Sequence, residues 1–185
     1  AVVDRQVAPA IDIYSNPTAI GDMTFNNQVQ DFSNLAEDLL RKPAETSIRK
    51  SLKRKERIGL NDDGTQLSSM RAITLRDAIS ESILHHLTFD QSLIAYGEEC
   101  RDWGGAFGVY RGFSEIIPYH RLFNSPISEA AIVSTAVGYA LAGGRTLVEL
   151  MYSDFIGRAG DEIFNQLAKW QAMSGGKIRL PVVLR

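Results

Sequence analysis

Pro126-Ile127-Ser128-Glu129 is the most informative segment of this chain. The residues before it, 121–125, are typical of a short strand that runs into a turn, and the residues after it, 130–142, are almost wholly small or apolar. This order predicts a strand, a tight turn and then a buried helix. A carboxylate at such a junction lies at the carboxyl end of a strand, where open α/β sheets bind ligands. Glu129 is therefore a candidate site residue, although an acid in the first turn of a helix also complements the helix dipole.

Helices and short apolar strands alternate along the chain from residue 71 onward. The apolar periodicity predicts helices over 74–87, 128–142 and 159–173 and strands over 93–96, 121–123, 146–151 and 182–184. Alternation of this kind is typical of strand–helix–strand crossovers in a parallel sheet. The predicted fold class is α/β, a mostly parallel sheet flanked by helices on both faces, with an irregular or helical N-terminal extension.

Residues 1–70 have a different character and are predicted to be a linker or connector extension, which leaves 71–185 as the α/β domain. Turn formers and charges dominate the extension, except over 32–41, where the leucine spacing predicts a short amphipathic helix. The basic run from Arg49 to Arg57 could bind phosphate or nucleic acid, but it has no interleaved aromatic residues, which favours a solvated linker or a helix face that meets an acidic partner. The chain starts without methionine and stops on an apolar strand, so we expect it to be a piece of a longer protein.

Composition argues against several classes of protein. Hydrophobic residues make up 44% of the chain, which is enough for a real core, and the net charge of −2 argues against bulk affinity for nucleic acid. The sequence shows no apolar stretch that approaches a membrane span and no signal-peptide pattern. The single cysteine, Cys100, cannot form an internal disulfide and is compatible with a reducing compartment. We therefore expect a cytoplasmic protein that binds neither membrane nor nucleic acid.

Polar side chains gather at the predicted carboxyl ends of three strands. Gly97-Glu98-Glu99 closes one strand, Pro126-Ile127-Ser128-Glu129 follows another, and Tyr152-Ser153-Asp154-Phe155 follows a third. Two acids and an aromatic residue from these ends can converge on one pocket. The sequence lacks a phosphate-cradling glycine motif, and His85 and His86 are adjacent on a helix rather than spaced as metal ligands. We therefore predict no metal site in this chain.

Several short motifs follow one another between residues 97 and 176. They are Gly97-Glu98-Glu99, Gly105-Ala106-Phe107, Arg111-Gly112, Ser125-Pro126-Ile127-Ser128-Glu129, Ala136-Val137-Gly138, Ala168-Lys169 and Met173-Ser174-Gly175-Gly176. In this order they resemble the beta subunit of thiamine-diphosphate-dependent 2-oxo acid dehydrogenases, which are transketolase-like enzymes. The resemblance covers the chain from about residue 72 to its end. Residues 1–70 would suit a connector in a version whose alpha and beta parts are fused in one polypeptide.

The resemblance implies that 71–185 is a pyrimidine-binding domain, truncated at its C-terminal end, which holds the aminopyrimidine half of thiamine diphosphate. Glu129 matches the family's activating glutamate, whose hydrogen bond to a pyrimidine ring nitrogen favours the imino tautomer of the neighbouring amine. Glu98 matches an acid in a proton relay between paired active sites, with a strand-end acid bonded to nearby backbone as the alternative. Phe155 and Met151 match apolar contacts of the pyrimidine, although both could equally be core residues.

The resemblance also implies an activity and partners. A family member decarboxylates a 2-oxo acid and passes the acyl group to a lipoyl carrier, as an oxidoreductase with a disulfide acceptor. The expected partners are a diphosphate-binding alpha region, a second copy of this domain and a lipoyl-bearing acyltransferase core. The sequence lacks the family's Gly-Asp-Gly…Asn segment, so we expect Mg²⁺ on the missing diphosphate domain and no activity from this piece alone.

Two alternative functions stay open at this point. The first is a transketolase or a deoxyxylulose-phosphate-synthase-like enzyme, and Tyr152-Ser153-Asp154-Phe155 followed by Arg158 resembles the latter. Gly97-Glu98-Glu99 together with Pro126-Ile127-Ser128-Glu129 fits the dehydrogenase pattern better. The second alternative is a non-catalytic assembly module that docks through its basic run.

Overall fold

The computed structural model describes residues 33–47, 59–66 and 73–185. The basic run from Arg49 to Arg57 lies outside these residues. In chain order, the described elements are α1 (Leu75–Phe89), β1 (Leu93–Glu98), β2 (Leu122–Ser125), α2 (Glu129–Leu141), β3 (Arg145–Glu149), a π-helical stretch (Glu162–Leu167), α3 (Ala168–Met173) and β4 (Val182–Leu184). Short 3₁₀ turns occur at Pro43–Glu45, Ala106–Gly108, Phe113–Glu115 and Ser153–Ala159.

The strands β1 to β4 run parallel in one sheet, in the order β2-β1-β3-β4. In the register, Glu98 of β1 pairs with Ser125 of β2, and Gly97 of β1 pairs with Glu149 of β3. Because the strands are parallel, their carboxyl ends meet at one edge of the sheet. The predicted α/β fold with a parallel sheet is confirmed, and we call this side of the sheet the carboxyl edge.

Helices cover both faces of the sheet, because successive strand residues point to opposite sides. One face packs against α1 in a cluster that includes Leu87, Ala95 and Cys100. The other face packs against α2 in a cluster that includes Tyr96 and Ile132. None of the helices in the described ranges combines the length and the apolar composition that a membrane crossing requires. The sheet is thus the middle of three layers, and α2 fixes the position of the residues that follow β2.

The chain between β3 and α3 departs from the predicted pattern. The strand predicted over 146–151 ends at Glu149, and the backbone leaves the sheet at Tyr152, whose φ of 67° lies in the left-handed region. The helix predicted over 159–173 is preceded by a 3₁₀ turn and is π-helical in its first part. Such π-helical stretches occur frequently at functional sites. The boundaries of these two elements were therefore predicted only approximately.

Residues 33–47, which we call the N-terminal strap, lie against the domain. The prediction of a helix over 32–41 is wrong for the described residues 33–41, which form turns and bends. The reason is that the backbone donors bond elsewhere: the Ala36 N–H donates to the Thr88 carbonyl of α1 at 2.7 Å, and the Leu40 N–H also donates to a carbonyl of the domain. A helix would need these N–H groups for its own carbonyls.

A buried ion pair fastens the strap to the domain. Arg121, which immediately precedes β2, is 1% exposed and donates to the backbone carbonyls of Leu87, Asp90 and Leu93. Its Nη1 atom also donates to Oδ1 of Asp38 in the strap, at 2.9 Å. A buried charge is costly unless a partner compensates it. The strap therefore supplies a counter-ion for a guanidinium inside the domain.

Asp38→Asn should lower the free energy of unfolding by about 3 kcal/mol, because removing one member of a buried ion pair leaves the other charge uncompensated. Urea unfolding of the chain measures this change. His120→Gln is the matched control, since His120 lies 3.1 Å from the same carboxylate but has an exposed side chain. We expect it to change the free energy of unfolding by less than about 1 kcal/mol. Equal losses in the two variants would contradict the assignment.

Candidate functional site

Glu129 is the first residue of α2 and lies at the carboxyl edge. The chain reaches it from β2 through Pro126, which has no N–H to donate to a strand ladder. Only 8% of Glu129 is exposed, so its carboxylate is held within the protein instead of in bulk water. The preceding Ser128 makes no capping hydrogen bond with its side chain. Glu129 therefore combines a position beside the helix N-terminus with the burial that a ligand-binding acid needs.

The 3₁₀ turn Ser153–Ala159 packs against α2 beside Glu129. Ala159 is fully buried and anchors the end of the turn. The Arg158 Nε atom lies 4.0 Å from Oε2 of Glu129. Phe155 precedes Arg158 by three residues, and residues three apart share one face of a 3₁₀ helix. The turn thus carries an aromatic ring and a guanidinium on the same face, and the guanidinium reaches Glu129.

Glu98 ends β1 at the same edge. Burial raises the pKa of its carboxyl group, and the negative charges of Glu129 and Glu99 raise that pKa further. The effect of Glu129 means that the two acids lie within electrostatic reach of each other. Ser125, which pairs with Glu98 in the sheet, has a buried hydroxyl oxygen for which the described residues supply no hydrogen-bond partner. The carboxyl edge thus holds two acids and an unused polar atom.

Met151 lines a cavity of ≈ 380 Å³ at this end of the sheet. The other residues that line the cavity are Ala106, Phe107, Glu149, Leu150, Tyr152 and Arg185. Glu129, Glu98 and Phe155 do not line it, so the structure places Met151 beside their group and not within it. Tyr152 links this cavity to Phe155, because the two aromatic rings meet edge-on with their centroids 6.4 Å apart.

The sequence analysis missed Glu149 and Arg185, which form an ion pair where β3 and β4 end; Glu149 is buried and Arg185 is partly buried. Glu149 is 1% exposed and accepts a hydrogen bond from the Ala106 N–H at 2.5 Å, while Arg185 donates to the Ala106 carbonyl at 3.0 Å. The pair therefore holds the glycine-rich loop that follows β1 (residues 99–112) against the sheet. A signal was available, because an acid at the end of a buried apolar strand needs a partner.

These parts define what the carboxyl edge can do chemically. Glu129 and Glu98 can hold or exchange protons, and Phe155 offers an apolar ring to a flat ligand. Within the described ranges, no group of three or more His, Cys, Asp or Glu side chains could hold a metal ion. The carboxyl edge therefore brings two acids and an aromatic side chain to the same end of the sheet.

Glu98→Gln should raise the melting temperature of the chain at pH 7. The folded-state pKa of Glu98 is raised above its usual value of 4.5. The favourable contribution of its protonated form to the free energy of unfolding is therefore complete below about pH 4.5 and is lost as the pH rises through the folded-state pKa. The glutamine side chain stays neutral, so the variant does not lose this stability at pH 7. The difference in melting temperature between the variant and the original chain should therefore shrink as the pH falls toward 4. Calorimetry at several pH values measures the difference.

Glu37→Gln, which changes an exposed acid of the strap, is the control and should leave the melting temperature unchanged at each pH. A lower melting temperature of Glu98→Gln at pH 7 would show that the strand-end acid makes a stabilising contact.

Comparisons with known proteins bear on the domain that carries these residues. A family model described as the transketolase pyrimidine-binding domain matches residues 71–184. The chain is 41% identical over 127 residues to the acetoin:2,6-dichlorophenolindophenol oxidoreductase subunit beta of Cupriavidus necator, a match that covers 62% of this chain and 37% of the relative. It is 35% identical over 121 residues to the mitochondrial pyruvate dehydrogenase E1 component subunit beta of Dictyostelium discoideum, covering 65% and 34%. The corresponding subunit of Rickettsia bellii is 37% identical over 113 residues, covering 61% and 35%. The chain thus spans about a third of the length of these relatives.

Proposed function

Because the chain belongs to the family of transketolase pyrimidine-binding domains, we propose that it is the cofactor-activating part of a thiamine-diphosphate-dependent 2-oxo acid dehydrogenase. The observation that carries the proposal is Glu129, a buried acid that begins α2 at the carboxyl edge. Pyruvate dehydrogenase beta subunits are among the relatives of the chain, which supports this enzyme class. The whole enzyme's activity, substrate and partners are proposed from this one domain.

The described residues fit the aminopyrimidine half of thiamine diphosphate. That half is a flat heterocycle with polar ring atoms, so it needs an apolar surface and a hydrogen-bonding acid. Phe155 is partly exposed on the turn beside Glu129, and the unused hydroxyl of Ser125 lies at the same edge. Glu129, Phe155 and, from the neighbouring cavity, Met151 would hold the pyrimidine. We assign the diphosphate and Mg²⁺ to the diphosphate-binding alpha region.

Glu129 would act on the cofactor by holding a proton at a pyrimidine ring nitrogen, which favours the imino form of the neighbouring amine. When bound, thiamine diphosphate supplies the carbon nucleophile that attacks the 2-oxo group. The burial of Glu129 excludes water from this proton. The length of the side chain also matters, because an error of about 1 Å in the position of a catalytic group can cost roughly 100-fold in rate.

Glu98 would pass protons between this site and the site of a second copy of the domain. Its raised pKa supports this role, because a carboxyl group that titrates closer to neutral pH can both take up and release a proton. The two acids lie at one edge of the same sheet, so a proton that leaves one site would have an acceptor close by.

Exposed apolar side chains at the carboxyl edge support an assembly with partner domains. Phe107 is 87% exposed, and Ile127 and Tyr152 are exposed as well. Grouped apolar residues on a surface mark interaction sites. We propose that the diphosphate-binding alpha region and a second copy of this domain cover them, and that a lipoyl-bearing acyltransferase core accepts the acyl group through its disulfide. A cytoplasmic location stays a prediction.

A second candidate substrate comes from the relative in Cupriavidus necator, whose name specifies acetoin. Acetoin is a neutral hydroxyketone, whereas pyruvate is an anion. The same buried acid would activate the cofactor for either molecule. Turnover of acetoin but not of any 2-oxo acid would move the proposal to this substrate.

Glu129→Gln tests the proposed function in the assembled enzyme loaded with thiamine diphosphate and Mg²⁺. We expect a loss of about 100- to 10,000-fold in kcat, which is the range of general acid–base contributions. Glu37→Gln, on the strap, is the control and should keep full activity. Unchanged turnover in Glu129→Gln would favour a non-catalytic assembly module, and transfer of the two-carbon unit to an aldose phosphate would favour a transketolase-like enzyme.

A further inference from the structure

The two acids at the carboxyl edge would repel an anionic substrate. Glu98 and Glu129 both lie there, and each is an acid that is withdrawn at least in part from solvent. A 2-oxo acid carries a carboxylate next to its reacting carbonyl. Like charges brought together away from water repel one another strongly. Such a substrate therefore needs a cation at this edge.

Arg158 is a cation in the right place. Its Nε atom lies 4.0 Å from Oε2 of Glu129. The position of its backbone is restrained, because the next residue, Ala159, is fully buried in a cluster with Val133 of α2 and Leu150. The core thus holds the arginine at its backbone, while its side chain is mostly exposed.

The guanidinium is available to a ligand even though it faces an acid. The side chain of Arg158 is 75% exposed, in contrast to the 10% exposure of the Glu129 side chain. A contact of 4.0 Å with so much exposure is a weak ion pair, which a better-placed carboxylate can displace. Phe155 lies on the same face of the turn, so an anion at Arg158 would be next to the proposed pyrimidine surface.

We propose that Arg158 binds the carboxylate of an anionic 2-oxo acid and thereby selects this substrate class. This inference rests on the proposed function. The planar guanidinium can grip a carboxylate through two parallel hydrogen bonds, a geometry that lysine does not offer. While Arg158 is bound to substrate, its charge compensates the incoming anion beside Glu129 and Glu98. A neutral hydroxyketone such as acetoin brings no carboxylate and gains nothing from this residue.

Arg158→Gln in the assembled enzyme tests the proposal by comparing an anionic with a neutral substrate. We expect the KM for pyruvate to rise about 10- to 100-fold, as for the loss of a hydrogen bond to a charged group, with a much smaller change in kcat. The KM for acetoin should stay within about two-fold of its original value, since no charge contact is lost. Arg158→Lys should recover part of the loss for pyruvate, because it restores the charge without the planar fork.

Arg41→Gln is the matched control, because it makes the same substitution at an exposed arginine of the strap. It should leave both KM values unchanged. Equal effects of Arg158→Gln on pyruvate and acetoin, or no effect on pyruvate, would overturn the proposal. Either result would leave the proposed function intact, since that function is judged by Glu129→Gln.

A binding measurement decides the matter even if the assembled enzyme turns over neither substrate, which would count against the proposed function itself. Ligand-observed NMR can compare oxamate, a non-reacting anionic isostere of pyruvate, with its neutral amide, oxamide. Oxamate should bind the original protein and lose most of its signal with Arg158→Gln, while oxamide should not distinguish the two proteins. Equal oxamate signals in both proteins, or none in either, would refute the role of Arg158.

Discussion

The parallel pairing of β1 between β2 and β3 is the constraint on which the carboxyl edge depends. Where β1 lies beside the end of β3, the sheet leaves no room for a side chain: a Cβ atom on Gly97 would lie 2.6 Å from the Glu149 carbonyl oxygen. This close approach fixes where β1 ends relative to its neighbours. A slip of one residue would turn every β1 side chain to the opposite face and would separate Glu98 from Glu129. The register of the sheet, more than the loops, brings the two acids together.

The ion pairs described above fall into two kinds that differ in solvent exposure, and this difference explains which of them stabilise the fold. In the pair of Asp38 and Arg121, as in the pair at Glu149, one side chain is buried and the other is partly buried, and further hydrogen bonds join the buried member to backbone groups. Pairs of this kind are costly to break. Arg158 makes a longer contact with the acid that begins α2 and stays mostly in solvent. Such a pair contributes little to stability, so its cation can serve a ligand without loosening the fold.

Much of the fold could be predicted because its signals are local, whereas the missed features depend on distant residues or on backbone conformation. Thr74 accepts a hydrogen bond from the Asp77 N–H at 3.2 Å and caps α1 as its residue type predicts. The strap could not be predicted, because its leucine spacing suits a helix but its donors bond to remote carbonyls. Nothing in the residue type of Tyr152 predicts a left-handed backbone. For the site, the sequence supplied Glu129 and Glu98 and their common edge, while their catalytic roles stay predictions.

The one thiol of the chain gives this edge a built-in reporter. Cys100 is fully buried just after β1, and burial raises the pKa of its thiol to about 12, so almost no reactive thiolate exists at neutral pH while the fold is closed. An alkylating reagent can reach the sulfur only when the structure around Cys100 opens locally. The alkylation rate therefore reports on local opening around Cys100, and the measurement needs no engineered cysteine because the chain has only this one.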